Sequence, residues 1–310
     1  MLKEDILKEL AHNRARSLSG QALADTFGVS RNAVWKAVKA LEGEGIEIEA
    51  GTNKGYRLAP QVLTRFDVDV PADIKVFFYE SIDSTNTQAK RLLAAGEQGK
   101  ILLVANEQTA GRGRCGRSFY SPKQTGLYFS YVFHPGASVS DTVWITTAAA
   151  VAVMRAIERL TPLKPAVKWV NDIYIGEKKV CGILTEAVSD FESGTVESVV
   201  IGIGINVNTA DFPEEISERA ASLNDSALTR AALLNAVLKE LLIICAQKDN
   251  EEVLKEYKAH SLVLGKQISF TRGGETYEAT AVDIDEQGGL VVRTAQGEQT
   301  LNSGEISVFF

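Results

Sequence analysis

The residues best suited to do chemistry cluster in one loop, Gly111-Arg112-Gly113-Arg114-Cys115-Gly116-Arg117. Arg112, Arg114 and Arg117 offer guanidinium forks that match carboxylate or phosphate, and the glycines between them let the backbone close over an anion. Read literally, the run contains G-x-G-x-x-G, the dinucleotide fingerprint, but that motif needs a helix directly after its glycines. Here Ser118-Phe119-Tyr120-Ser121-Pro122 and a strand pattern follow. Anion capture by side chains is therefore the expectation, against the plainer alternative of a solvated basic loop. Lys168-Trp169-Val170-Asn171-Asp172 closes one strand pattern, and Lys178-Lys179-Val180-Cys181-Gly182-Ile183-Leu184 opens its partner. A lysine there either meets an anion or caps a sheet edge. Gly202-Ile203-Gly204-Ile205-Asn206-Val207-Asn208 ends another strand. Its glycines let a ring approach the backbone, and an Asn amide can pair with an adenine edge.

Stepping outward along the chain, Leu2, Ile6, Leu7 and Leu10 recur at helical spacing. Ser19 caps a second helix that stops at Gly28, and after Gly28-Val29-Ser30 a third helix, Arg31–Glu42, begins with Ser30 as its cap. Two helices joined so tightly form a helix-turn-helix, whose outward face would carry Ser30, Arg31, Asn32, Trp35, Lys36 and Lys39. Ile46–Glu49 and Tyr56–Leu58 flank the turn Gly51–Gly55, making a wing whose Lys54 and Arg57 suit phosphates. A three-helix protein-interaction module is the alternative. Beyond the linker Pro60–Leu63, strand patterns at 74–79, 101–105, 127–133, 166–169, 173–175, 180–186 and 196–205 mix with helical ones at 84–95, 140–160, 230–246 and 251–259. Without regular strand-helix alternation this predicts an α+β fold rather than a doubly wound sheet. Residues 265–310 alternate apolar and polar positions between Gly-Gly turns, a small all-β module.

The chain has 310 residues, which favours about two domains, and a net charge of −7. Residues 1–62 carry nine basic and eight acidic side chains, against 24 and 32 in the rest, so contact with DNA would have to come from a local N-terminal face. Three widely spaced cysteines and three histidines give neither a disulfide framework nor a zinc cluster, and no metal ligand set is expected. The charged amphipathic start lacks the pattern of a signal peptide, and the longest mostly apolar stretch, Thr142–Met154, is too short to span a bilayer. A cytoplasmic protein without membrane partners is expected.

Together and in this order, the Arg-Gly loop, the Lys-Trp-x-Asn-Asp segment and the Lys-x-x-Gly-Ile-Leu strand resemble the biotin protein ligase family. The resemblance extends over essentially the whole chain. It is nearest to the two-function members, which carry an N-terminal winged helix and also act as biotin operon repressors. It implies a winged helix-turn-helix at 1–62, a central α+β, class II synthetase-like ligase domain at 63–262 and a C-terminal SH3-like β-barrel at 263–310. It further implies that biotin is met by Ser84, Thr85, Asn86 and Gln108, with Arg112, Gly113, Arg114, Lys179 and Gly182 around its carboxylate. ATP would be met by Arg114, Arg117, Lys168, Asn171, Asp172, Lys179, Gly204 and Asn206. Arg112, Arg114 and Lys179 would be the catalytic side chains.

The implied reaction uses ATP with Mg²⁺ to make biotinoyl-5′-AMP, then passes biotin to a lysine of the biotin carboxyl carrier protein. In two-function members that adenylate is also the corepressor, ordering loops such as Asp211–Ser222 and favouring a homodimer that binds operator DNA. Three departures from the family pattern stand out: Val170 where proline is usual, Cys115 in place of a commonly basic or polar residue, and Phe119 where tryptophan is frequent. The rival readings are a biotin-sensing repressor without ligase activity, a ligase whose winged helix no longer represses, and a lipoate ligase.

Overall fold

The computed structural model describes residues 2–51, 54–134, 141–189, 196–246, 250–302, 304 and 306–308. The tip of the expected hairpin at Thr52-Asn53, and Ser140 at the start of an expected helix, lie outside them. The chain forms two compact units, Met1–Asp69 with Thr229–Ala231, and Val70–Leu228 with Ala232–Phe310.

In the first unit, α1 (Leu2–His12), α2 (Gly20–Phe27) and α3 (Arg31–Gly43) are followed by a hairpin of β1 (Ile48–Gly51) and β2 (Gly55–Leu58). The caps form as their residue types dictate. Ser19 and Ser30 each accept the backbone N–H three residues on, and Gly28 ends α2 in the left-handed conformation at φ 64°. Ile6, Leu10, Leu23, Val34, Val38 and Leu41 face inward and close a small core with Ile48 and Leu58. Leu18 exchanges two backbone hydrogen bonds with Tyr56, adding a third rung line to the wing. The unit continues past the linker because Arg14 grips Asp67 with two bonds of 2.6 and 2.7 Å, while Thr64 and Asp67 cap a short 3₁₀ turn between them.

The second unit holds a seven-stranded sheet built from β3 (Ile74–Tyr79), β4 (Lys100–Ala105), β5 (Gly126–Phe133), β6 (Pro165–Lys168), β7 (Asp172–Ile175), β8 (Lys178–Ser189) and β9 (Val196–Asn206). Its order is β3-β4-β5-β9-β8-β7-β6, and only the β3–β4 pair is parallel, joined through α4 (Thr85–Ala94). Central strands such as Ile101–Ala105 are wholly buried, which needs cover on both faces. Val132, Val200, Ile101 and Leu103 pack with Ala89 of α4 on one face. Thr185 on the other face meets Thr146 of α5 (Asp141–Leu160) at 2.8 Å. The unit continues through α6 (Glu214–Ser217), α7 (Arg230–Ala246) from its third residue on, and α8 (Asn250–Ala259).

A five-stranded antiparallel sheet follows, made of β10 (Gln267–Arg272), β11 (Glu275–Ile284), β12 (Leu290–Thr294), β13 (Gly297–Leu301) and β14 (Ile306–Val308), in the order β13-β12-β11-β10-β14. The strand β14, which the sequence pattern does not mark, is its fifth member. No helix among the described residues is long and apolar enough to cross a membrane.

Candidate active site

The floor of the site is the start of α4. Ser84 caps that helix and is 2% exposed. Capping and cavity lining are thus compatible roles for one hydroxyl. Thr85 gives its backbone N–H to Gln108 Oε1 at 2.8 Å, and Gln108 Nε2 donates to Ser121 Oγ at 3.0 Å. Asn86 Nδ2 donates to Glu186 Oε2 at 2.9 Å and to the Leu184 carbonyl, while Lys90 holds the other Glu186 oxygen at 2.8 Å. Burial opposes charge on Glu186, yet the bonds from Lys90 and Asn86 and the Arg112 charge hold its carboxyl below the usual range.

The Arg-Gly loop forms one wall. Its backbone is closed by rungs: Phe119 N–H bonds the Gly111 carbonyl at 2.8 Å and Gly113 N–H bonds the Arg117 carbonyl at 2.7 Å. These rungs leave Cys115 and Gly116 at the tip with φ of 53° and 75°, the first an uncommon value for a residue with a side chain. Arg114 turns inward, donating to Asn171 Oδ1 at 3.0 Å and the Gly304 carbonyl at 3.2 Å. Asn171 donates on to Asp172, which pairs with Lys179 at 2.7 Å. Four functional groups from three segments are thereby tied into one chain of hydrogen bonds.

Lys179 does not cap a sheet edge, because β8 lies between β7 and β9. Its backbone pairs with Arg219 and Ala221, so the stretch Asp211–Ser222 already carries α6 and a bridge to the sheet. The Lys-Trp-x-Asn-Asp segment also differs from expectation. The strand stops at Lys168, Trp169-Val170-Asn171 make the turn, and Asp172 opens the next strand.

The helix start, the loop arginines and the Asn171-Asp172-Lys179 chain line one cavity of about 310 Å³, with Glu186 and Lys90 behind its lining. Its lining includes Ser84, Thr85, Asn86, Gln108, Arg112, Gly113, Arg114 and Arg117, together with Lys168, Asn171, Asp172, Lys179, Gly182 and Gly204. Gly182 and Gly204 face each other across β8 and β9, and the Phe119 ring lies over them. A Cβ at 204 would sit 2.5 Å from Phe119 Cε1, so glycine is what admits the ring. Asn206, two residues further along the same face of β9, is not in the lining: its Nδ2 supports the Ala221 carbonyl at 3.0 Å. Its Oδ1 is buried and has no hydrogen-bond partner among the described residues.

Comparison with known proteins identifies the family and the fold. Residues 78–206 match the Biotin/lipoate A/B protein ligase family, 3–57 an HTH domain and 263–308 the Biotin protein ligase C terminal domain. The chain is 32% identical to the bifunctional ligase/repressor BirA of Bacillus spizizenii, over 99% of this chain and 98% of that protein. The chain belongs to the biotin protein ligase family. It is 27% identical to bifunctional ligase/repressor BirA of Escherichia coli over 94% of this chain and 92% of that one. Among solved structures, the Aquifex aeolicus biotin protein ligase in complex with biotin and ATP superposes with a TM-score of 0.64 at 30% identity. That match covers 76% of this chain and 98% of the other. The Leishmania major ligase in complex with biotinyl-5-AMP gives 0.52 at 28%, covering 76% and 100%.

Within this family member, several residues that sequence reasoning missed also reach the cavity: Arg219 from beyond α6, and Gly304, Ile306 and Ser307 from the C-terminal module. That module is fastened beside the site, with Trp169 Nε1 donating to the Gly288 carbonyl at 2.9 Å. The Trp169–Val170 peptide, where the family usually has proline, is cis. Burial pushes the Cys181 thiol up and Cys245 up to about 12, which makes neither a thiolate nucleophile. In the HTH unit, Arg31, Asn32, Trp35, Lys36 and Lys54 are exposed. Ser30 spends its hydroxyl on the cap of α3, Lys39 pairs with Glu42 at 2.6 Å, and Arg57 pairs with Glu49 across the wing.

Proposed function

We propose that this protein is an ATP-dependent biotin protein ligase that also represses biotin biosynthesis genes, with biotinoyl-5′-AMP as both intermediate and corepressor. The observation that carries the reading is the single cavity in which Arg112, Arg114 and Lys179 converge on the Ser84–Asn86 helix start and Gln108. Ser84, Thr85, Asn86 and Gln108 would hold the biotin head, and Gly113 and Gly182 would flank its chain.

In the first step the biotin carboxylate attacks the α-phosphorus of ATP, forming the mixed anhydride while the α–β bridging bond breaks and pyrophosphate leaves. Two anions must meet, so Arg112 and Lys179 offset their repulsion and stabilise the charge that develops. Asp172 and Asn171 hold Lys179 and Arg114 in place, and Arg117 and Lys168 add positive charge for phosphates. Gly204 leaves room for a ring, whereas Asn206, buried outside the lining, would reach adenine only after the Ala221 segment that it supports moved aside. Mg²⁺ would neutralise phosphate charge. Among the described residues no group of three His, Cys, Asp or Glu is placed to hold a metal, so phosphate oxygens and water would be its ligands.

In the second step the amine of a lysine on the biotin carboxyl carrier protein attacks the acyl carbon, AMP leaves and an amide forms. No enzyme nucleophile is needed. The chain is read as a winged helix-turn-helix at 1–62, a ligase domain at 63–262 and a C-terminal module at 263–310. The adenylate-bound protein would act as a homodimer presenting two winged helices, with Ser30, Arg31, Asn32, Trp35, Lys36, Lys39, Lys54 and Arg57 toward operator DNA. Biotin-dependent ATP–pyrophosphate exchange tests the ligase, with lipoate as the comparison acid. Exchange with biotin alone is expected. Biotin binding without exchange would leave a sensor-only repressor.

A further inference from the structure

Ser130 lies in the middle of β5, fully buried among apolar neighbours. Its Oγ is 2.6 Å from Asn86 Oδ1 and 2.7 Å from Thr85 Oγ1. Proton counting then fixes the network. Glu186, ionised and able only to accept, takes one proton of the Asn86 amide and so turns Oδ1 toward Ser130. Oδ1 can only accept, so the single Ser130 proton must lie in that short contact. The 2.7 Å contact then needs the Thr85 proton, which points away from the cavity toward Ser130. The longer Thr85–Gln108 contact, at 3.1 Å, is the one left without a proton, and Gln108 Oε1 is already served by the Thr85 backbone N–H. Gly202 makes the arrangement possible, since a Cβ there would sit 2.1 Å from Asn86 Oδ1.

We propose that Ser130 and Glu186 are positioning residues for biotin recognition: through them, Thr85 and Asn86 present only acceptor lone pairs to the cavity, selecting a ligand head that donates N–H groups there. This rests on the biotin reading above. A buried network of this kind is specified only when each member is satisfied. Removing Ser130 would leave Asn86 Oδ1 without its donor and free the Thr85 hydroxyl to rotate, so that a wrong-polarity state competes with the productive one. The cyclic urea of biotin, with two N–H donors, is the head group that this floor would read.

The test is biotin-dependent ATP–pyrophosphate exchange on the full-length protein, with native, Ser130→Ala and Glu186→Gln forms compared. Both variants are expected to raise the KM for biotin about tenfold, the value of one hydrogen bond. The KM for ATP and the rate at saturating biotin should stay within about twofold of native. An unchanged biotin KM in both variants would overturn the proposal, as would a KM for ATP that rises by the same factor as that for biotin. Should Ser130→Ala fail to fold, Glu186→Gln decides alone, because its side chain is partly exposed and nearly isosteric. Native protein without biotin-dependent exchange would instead sink the ligase reading, and calorimetric biotin affinities of the same three forms would then decide this one.

Discussion

The residues proposed to meet DNA belong to one helix and one hairpin of the first unit, where Arg31, Asn32, Trp35 and Lys36 stand exposed on successive turns of α3. Those of the ligase cavity come from segments far apart in sequence. Asn86 bonds Glu186 from 100 residues away, and Arg114 reaches Gly304 from 190. A surface reader needs only a local scaffold, since phosphates accept long, flexible side chains from many angles. A site that must bring two anions together needs charges whose positions are fixed before the substrates arrive. Contributions to the first should therefore add, whereas those to the second should couple.

The sharpest way to break this comparison is Lys179→Gln. Its loss should slow biotin-dependent pyrophosphate exchange about 10²–10³-fold, with thermal stability nearly unchanged because the side chain is 31% exposed. An Asp172→Asn variant should lose part of the same activity, and the double variant little more than Lys179→Gln alone. Arg114→Gly removes the bonds to Asn171 and Gly304 and should speed release of the adenylate about 10–100-fold. Mass spectrometry of bystander lysines should then show biotin; labelling confined to the carrier protein would count against that role.

In the other unit, Arg31→Ala and Lys36→Ala should each weaken duplex DNA binding about threefold to tenfold. Each should also lower the slope of log affinity against log salt by about one. Their effects should add, and exchange activity should match the native protein. The smallest expected effect is on pH. Burial works against the Glu186 charge, but Lys90 and Asn86 outweigh it, so the folded carboxyl stays ionised below its ordinary range. The stability it contributes is present above that range and fades as pH falls through the lowered value. Scanning calorimetry from about pH 6 to about pH 4 should show a slightly larger drop in melting temperature for native protein than for Glu186→Gln.

Much of this was legible in residue order alone. Serine caps, glycine stops and periodicity depend on neighbours three or four positions away, so α2, α3, α4 and most strands fall within a residue or two of their expected bounds. The charged motifs were legible for the same reason: arginines, lysines and an amide in short runs announce anion chemistry wherever they lie. Asn206 shows the limit. Its type suited adenine, but whether it faces the cavity depends on the segment around Ala221 that β9 supports.

Tertiary structure alone decided the rest. Ser130 carries one quiet signal, a single polar residue inside the run Leu127–Val132, and nothing in that run says what it touches. Arg219 and Gly304 look like ordinary loop residues until the chain folds them against Lys179 and Arg114. The Arg-Gly loop at Gly111–Arg117 is a rung-closed hairpin because its backbone groups found partners in each other, which its composition does not announce. Sequence determined which groups are present and which local turns they make, since propensity and capping act over a few bonds. Which lone pair faces the ligand was fixed only by folding, because a proton's direction depends on every acceptor within hydrogen-bond reach, however distant along the chain.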